Sequence, residues 1–206
     1  MAETRRGRPS TGVREAVLKA TEEVLGEAGL ALSTKEIARR AGVAESSVFY
    51  HFGDRLGLLQ AVIGLHLPVF SDATAVLGDR TPSGDPADDL TALVAGLERF
   101  YLGILPILGA LQSDSQLRDL LAERDGEIGP HLALGPVTDW LRTERAAGRM
   151  PEAADPRAGA LLLIGAAHQR ALHTYLLGPA AARFLPPVEA VVRTLLPAFV
   201  GGASGT

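Results

Sequence analysis

The chain has 206 residues, 47% apolar and 21% charged, which fits a soluble folded protein with a substantial core and excludes a disordered one. It has no cysteine, so disulfides, thiolate catalysis and thiolate metal sites drop out, and a reducing compartment is favoured. The net charge of −4 hides a gradient: residues 1–60 hold nine Lys/Arg against eight Asp/Glu, while the remainder holds eleven against sixteen.

Residues 1–12 read as a flexible basic arm, with Arg5, Arg6 and Arg8 against Glu3. The N-terminus has no apolar run of the kind that directs secretion. The longest unbroken small-and-apolar run, Ala158 to Ala167, is ten residues, short of the ~18 that span a bilayer. These features predict a cytoplasmic chain with no membrane partner. Val13, Ala16, Val17, Ala20, Val24, Leu25 and Ala28 recur at helical spacing, so a first helix is expected over 13–28, ended by Gly29.

Ser33 and Glu36 stand at capping-box spacing and start a second helix near 34–40, with Ile37, Ala38 and Ala41 facing inward. Gly42 falls where a tight turn needs positive φ, and Val43 fills the corner. A third helix over 45–51 follows, closed by Gly53. Asp54 is the expected N-cap of a fourth, which Pro68 should stop or kink.

Two short helices about a glycine turn, propped by an amphipathic helix, are the parts of a helix-turn-helix, whose second helix enters the DNA major groove. Three of the chain's ten aromatics, Phe49, Tyr50 and Phe52, fall in or directly after this third helix. Val48 and Phe52 are expected to anchor it, leaving Glu45, Ser46, Phe49 and Tyr50 outward. Contact with sugars, thymine methyls or phosphates accounts for outward rings. The arm is then either a solubilising tail or a strand of arginines tracking phosphates or the minor groove.

The stretch "STKEIARRAGVAESSVFYHFGDRLGLL" resembles the N-terminal domain of the tetracycline-repressor (TetR) family, over roughly Arg14–Leu59. Its Thr/Ser-capped helix, I-A-x-x-A-G-V turn, L-Y-x-H-F-type recognition helix and basic residue ahead of a Leu pair carry the likeness. The resemblance implies a homodimeric transcriptional repressor released from its operator by a small molecule. It implies that Thr34 and Lys35 meet phosphate or base, and that Glu45, Ser46 and Ser47 hold base-reading positions. Phe49, Tyr50 and His51 match the aromatic–aromatic–His trio, and Arg55 replaces the family's phosphate-binding lysine.

Two residues depart from the pattern. Phe49 lacks the hydroxyl of the commoner tyrosine. Glu45 brings a negative charge to the groove, where it accepts from cytosine N4, faces away, or pairs with an arginine.

Residues 77–89 are rich in Gly, Pro, Ser and Asp and read as a loop, with the carboxylates of "DPADD" as solvated caps. Helices are then expected over 87–105, 115–124, 130–147, 157–177 and 188–200, punctuated by prolines. Period-two alternation is scarce. The expected fold is therefore all-α with about nine helices: a helix-turn-helix domain over 13–53 and a helical effector-binding and dimerisation domain over 54–206.

The last two helices either complete the subunit core or make a symmetric dimer contact, and a head that reads two half-sites favours the dimer. Phe100, Tyr101, Leu105, Trp140, His168, Gln169 and Tyr175 are candidate effector-pocket residues, though for any one of them core packing or a satisfied polar tip is the commoner explanation. No ligand can be named from them.

The five histidines form no i,i+4 pair, and no phosphate-cradling glycine loop stands in a strand-turn-helix setting. No catalytic residue, metal site or cofactor is expected. The sign of regulation is open, so an activator fits the same head. From another class, a helical small-molecule binder whose helix-turn-helix serves protein contact also fits.

Overall fold

The computed structural model describes residues 10–28, 33–77, 86–123, 133–148 and 150–199. Most of the basic arm, Gly29, the heart of the expected loop and the start of the helix expected at 130 lie outside these residues. Among the described residues there are nine α-helices, one 3-10 turn and no strand. The helices are α1 (Ser10–Ala28), α2 (Thr34–Ala41), α3 (Glu45–Phe52), α4 (Arg55–Ala75) and α5 (Pro86–Ser113), then α6 (Ser115–Glu123), α7 (Leu134–Ala146), α8 (Pro156–Leu177) and α9 (Val188–Phe199).

Several sequence-based boundaries need correction. α1 starts at Ser10, three residues before the first apolar position of its stripe. Of the two effects expected of Pro68, stopping α4 does not occur, since the helix runs on to Ala75. The carbonyl that loses its donor to Pro68 belongs to Gly64, on an exposed turn where water can take that bond. α5 likewise runs through Pro106 to Ser113. Pro86 to Asp89 form the first turn of α5 rather than loop, and Asp88 and Asp89 stand where the helix dipole favours negative charge.

α4 and α5 are also long and apolar enough to cross a membrane by length and composition, at mean hydropathy 1.4 and 1.5. An unbroken-run criterion overlooks them because Gly, His, Gln and Ser interrupt the apolar residues.

The chain divides into two compact units, one of residues 1–65 with 106–126 and the other of 66–105 with 127–206. In the first, α1 packs on α2 and α3, and α2 on α3. Val17, Leu25, Ile37, Ala38, Val48, Leu58 and Leu59 are buried there, with Ile107 and Leu117 from the later segment. This unit extends past Gly53 into α4 and takes in α6.

In the second unit the buried stripe of α5 is Leu90, Leu93, Val94, Leu97, Phe100, Tyr101 and Ile104, recurring every three or four residues as a core-facing helix requires. α4 approaches α5 very closely. A β-carbon on Gly96 would stand 2.5 Å from the Ala73 methyl, and one on Gly103 would stand 2.5 Å from the His66 ring. The contacts 66–103 and 73–96 run in opposite senses, so these stretches are antiparallel. α7 and α9 pack on α8. Arg170 of α8 donates to Glu98 of α5 at 2.7 Å and to the Pro186 carbonyl at 2.5 Å, tying the turn before α9 to the core.

Candidate nucleic-acid interface

Local rules build the head. The Ser33 hydroxyl accepts the N–H of Glu36 at 3.3 Å, capping α2. Glu36 does not complete the box by reaching back. Its carboxylate instead takes hydrogen bonds from Arg39 at 2.6 and 2.8 Å and from Arg40 at 2.8 Å. Those bonds, Arg39's first and Arg40's next, hold the Glu36 carboxyl down at about 2. Arg40 also bridges to Glu27 of α1 at 2.6 Å and is driven more basic, first by Glu27 and then by Glu36.

Gly42 takes φ +69°, the left-handed conformation its place in the turn demands. Val43 then returns its N–H to the Ala38 carbonyl at 3.0 Å. This closed turn sets the angle at which α3 leaves α2.

α3 is anchored by Val48, which is 1% exposed. Phe52 is half-buried, with the Arg14 guanidinium of α1 5.5 Å above its ring. On the opposite face Tyr50 is 84% exposed and Phe49 44%. Glu45 and Ser46 are exposed, and Ser47 is half-buried. His51 is half-buried, edge-on to Tyr50 with ring centroids 5.1 Å apart.

Lys35 is exposed at the start of α2 and Thr34 half-exposed beside it. The Thr34 hydroxyl donates to Glu45 Oε1 at 2.6 Å, so the charge that opens α3 is engaged by a hydroxyl of α2. Thr34, Lys35, Glu45, Ser46, Phe49 and Tyr50 thus share one solvent-facing edge of the two helices.

Arg55 is positioned differently from the sequence-based expectation. Its guanidinium pairs with Asp114, at the α5–α6 junction, and is partly buried, with Nε lacking a hydrogen-bond partner. Asp114 also accepts the N–H of Leu117 at 3.2 Å. Burial pushes its carboxyl up, but the Leu117 amide and Arg55 more than offset this, leaving it below the ordinary range. No local pattern could have flagged Asp114, which lies 59 residues from Arg55 along the chain. Nor does any local pattern mark Arg14, 38 residues before Phe52, as the cation over that ring.

A segment of residues 17–62 matches the family described as bacterial regulatory proteins, tetR family. This segment is similar to the N-terminal domain of TetR-family regulators. A relative is the HTH-type transcriptional regulator BetI of Stenotrophomonas maltophilia, 37% identical over 94 residues covering 43% of this chain and 47% of that one. Another is the HTH-type transcriptional repressor BepR of Brucella suis, 46% identical over 52 residues, a quarter of each chain. The chain spans about half the length, or less, of these curated relatives. Among solved structures, Salmonella enterica GusR superposes with TM-score 0.67 at 16% identity, over 97% of this chain and all of that one, a likeness of fold.

Of the seven candidate effector residues, which lie outside the segment that matches the family, Phe100, Tyr101 and His168 are brought into ring contact. Phe100, Tyr101, Leu105 and Trp140 are buried in the second unit and His168 is half-buried. Tyr101 meets Phe100 and His168 edge-on at 5.4 and 5.0 Å, and burial raises its hydroxyl above the usual range. Gln169 and Tyr175 are exposed, and Gln169 meets His173 at 3.4 Å. An apolar cavity of about 520 Å³ lies elsewhere, between Leu161, Leu162, Gly165 and Ala166 of α8 and Ala190 and Val191 of α9. Among the described residues, no group of three or more His, Asp or Glu could hold a metal.

Proposed function

We propose that the chain is a sequence-specific DNA-binding transcriptional repressor that acts in the cytoplasm and leaves its operator when a small molecule binds its helical body. The observation that carries this is the two-faced α3: Val48 sealed in the core, Phe49 and Tyr50 held out in solvent. Rings kept outward on a short helix gain little in water and much against a nucleic acid. Lys35, Tyr50 and His51 then position the head on phosphates, while Thr34, Glu45, Ser46, Ser47 and Phe49 bear on sequence. Arg55 joins the phosphate contacts only by leaving Asp114.

A homodimer through α8 and α9 belongs to the same proposal, placing two recognition helices about 34–36 Å apart in successive grooves. The apolar α8–α9 groove supports it, with Leu161 60% and Leu162 52% exposed in the single chain. The proposed effector site lies among the buried aromatics around Tyr101. An effector that prefers a second state of the dimer shifts the population off DNA.

Fluorescence anisotropy with duplex from upstream of the chain's own gene tests the proposal. It predicts saturable binding that resists bulk competitor DNA and is lost in Tyr50→Ala. Binding no tighter than to random duplex overturns it and favours a helix-turn-helix used for protein contact. Leu162→Glu should sediment as a monomer; an unchanged dimer removes α8–α9 as the interface.

A further inference from the structure

Thr34 and Glu45 were each expected to face DNA separately. The structure joins them, and the direction of the hydrogen bond matters. A hydroxyl has one proton, and Thr34 commits it to Glu45 Oε1 at 2.6 Å. What remains toward solvent is the lone pairs of Thr34 Oγ1 and of Glu45 Oε2. The pair thus presents acceptors only, with a full negative charge, at the exposed start of the recognition helix.

Such a surface suits no phosphate, because it has no proton to offer and repels the charge. Among base edges in the major groove it clashes with guanine, whose N7 and O6 are both acceptors, and with the O4 of thymine. Adenine offers N6–H₂, but its neighbouring N7 lone pair faces the second acceptor. Cytosine offers N4–H₂ flanked within its own ring by C5–H rather than an acceptor, so on that side the pair's second acceptor meets no lone pair.

We infer that Thr34 and Glu45 form one specificity unit that selects a cytosine: Glu45 accepts the N4 proton, and Thr34 fixes the carboxylate for it. This rests on the proposal that α3 enters a major groove. Of the three orientations that the sequence left open for Glu45, the inference takes the cytosine contact; among the described residues the carboxylate takes a hydroxyl and no arginine. Phe49 lies one helical turn beyond Glu45 on the same side and is 44% exposed, so its ring falls on the neighbouring base pair.

The experiment is selection from a randomised duplex pool with the full-length protein. Anisotropy titrations follow on four duplexes that differ only at the position Glu45 reads. The wild type should prefer cytosine there by roughly tenfold over the other bases. Glu45→Gln, which adds an amide donor, should remove that preference and bring adenine or guanine level with cytosine. Thr34→Val should keep cytosine first but shrink the margin several-fold, and Thr34→Ser should restore it.

Both side chains lie at the surface, so unchanged helical content and melting temperature should accompany these effects. An unaltered base ranking in Glu45→Gln, or an equal gain in affinity for all four duplexes, overturns the inference while leaving sequence-specific binding intact. A wild type that enriches no sequence at all instead overturns the proposed function.

Discussion

Gly57→Ala is the sharpest test of how the recognition helix is joined to α4. A β-carbon at Gly57 would stand 2.1 Å from the Phe52 carbonyl oxygen, about 1.3 Å inside the 3.4 Å at which ordinary contact begins. That oxygen is backbone and cannot rotate away. It also accepts the Asp54 N–H at 2.9 Å, while the Asp54 carboxylate caps α4 by accepting the Gly57 N–H at 2.6 Å. Relieving the clash therefore strains the whole Phe52–Gly57 turn. Overpacking of this kind costs about 1–3 kcal/mol, and losing the cap costs about 1 kcal/mol more.

Against this, alanine gains about 1 kcal/mol over glycine in a helix. The net is a loss of roughly 1–3 kcal/mol, or roughly 2–12 °C in melting temperature for a chain of this size. Gly64 is the internal control, since it lies on the same helix, faces solvent, and would have nothing within 4 Å of an added β-carbon. Gly64→Ala should raise the melting temperature by about 2 °C from propensity alone. Thermal unfolding followed by circular dichroism reads both. A Gly57→Ala protein that melts at or above the wild type would refute the close approach as the reason for glycine there.

Three further outcomes are expected. Tyr50→Ala should leave the melting temperature within about 1 °C and weaken DNA binding at least tenfold, whereas Val48→Ala should cost roughly 1–3 kcal/mol of stability in urea unfolding; equal effects of the two on stability would contradict the two-faced helix. Glu36 is held at about 2 in the fold against an ordinary value near 4.5. Its stabilising effect is therefore complete above about pH 4.5 and is lost as pH falls through about 2, and Glu36→Gln should flatten the acid limb of the stability–pH curve across that window. Asp114→Asn should free the Arg55 guanidinium, lower stability, and steepen the logarithmic salt dependence of DNA binding by up to about one contact; an unchanged slope would mean Arg55 stays off phosphate.

What the sequence revealed and what it hid divide along the range of the interactions. Ser33, Gly42, Gly53 and Asp54 announce the head because capping and positive φ are settled within four residues, and the structure has each of them in that role. Ile37, Ala38, Ala41 and Val48 were readable as the buried side for the same reason.

Pro68 and Pro106 misled because a helix end depends on whether the orphaned carbonyl finds water, which is a property of the folded surface. The partners of Arg55 and Arg170 were invisible, since each ion pair joins segments about sixty or seventy residues apart. Thr34–Glu45 falls between these cases. Both residues were marked as groove-facing, yet only the closed Gly42 turn brings a hydroxyl of one helix to a carboxylate of the next.

The two glycines of α5 differ in how freely they can drift over generations. At position 103 the obstacle is an imidazole, which can swing aside or be exchanged, so substitutions at 66 and 103 should travel as compensating pairs among descendants of this sequence. At position 96 the obstacle includes the α-carbon of residue 73, 3.0 Å away, so shrinking Ala73 makes no room. Position 96 should accordingly stay glycine for as long as the two rods keep their spacing.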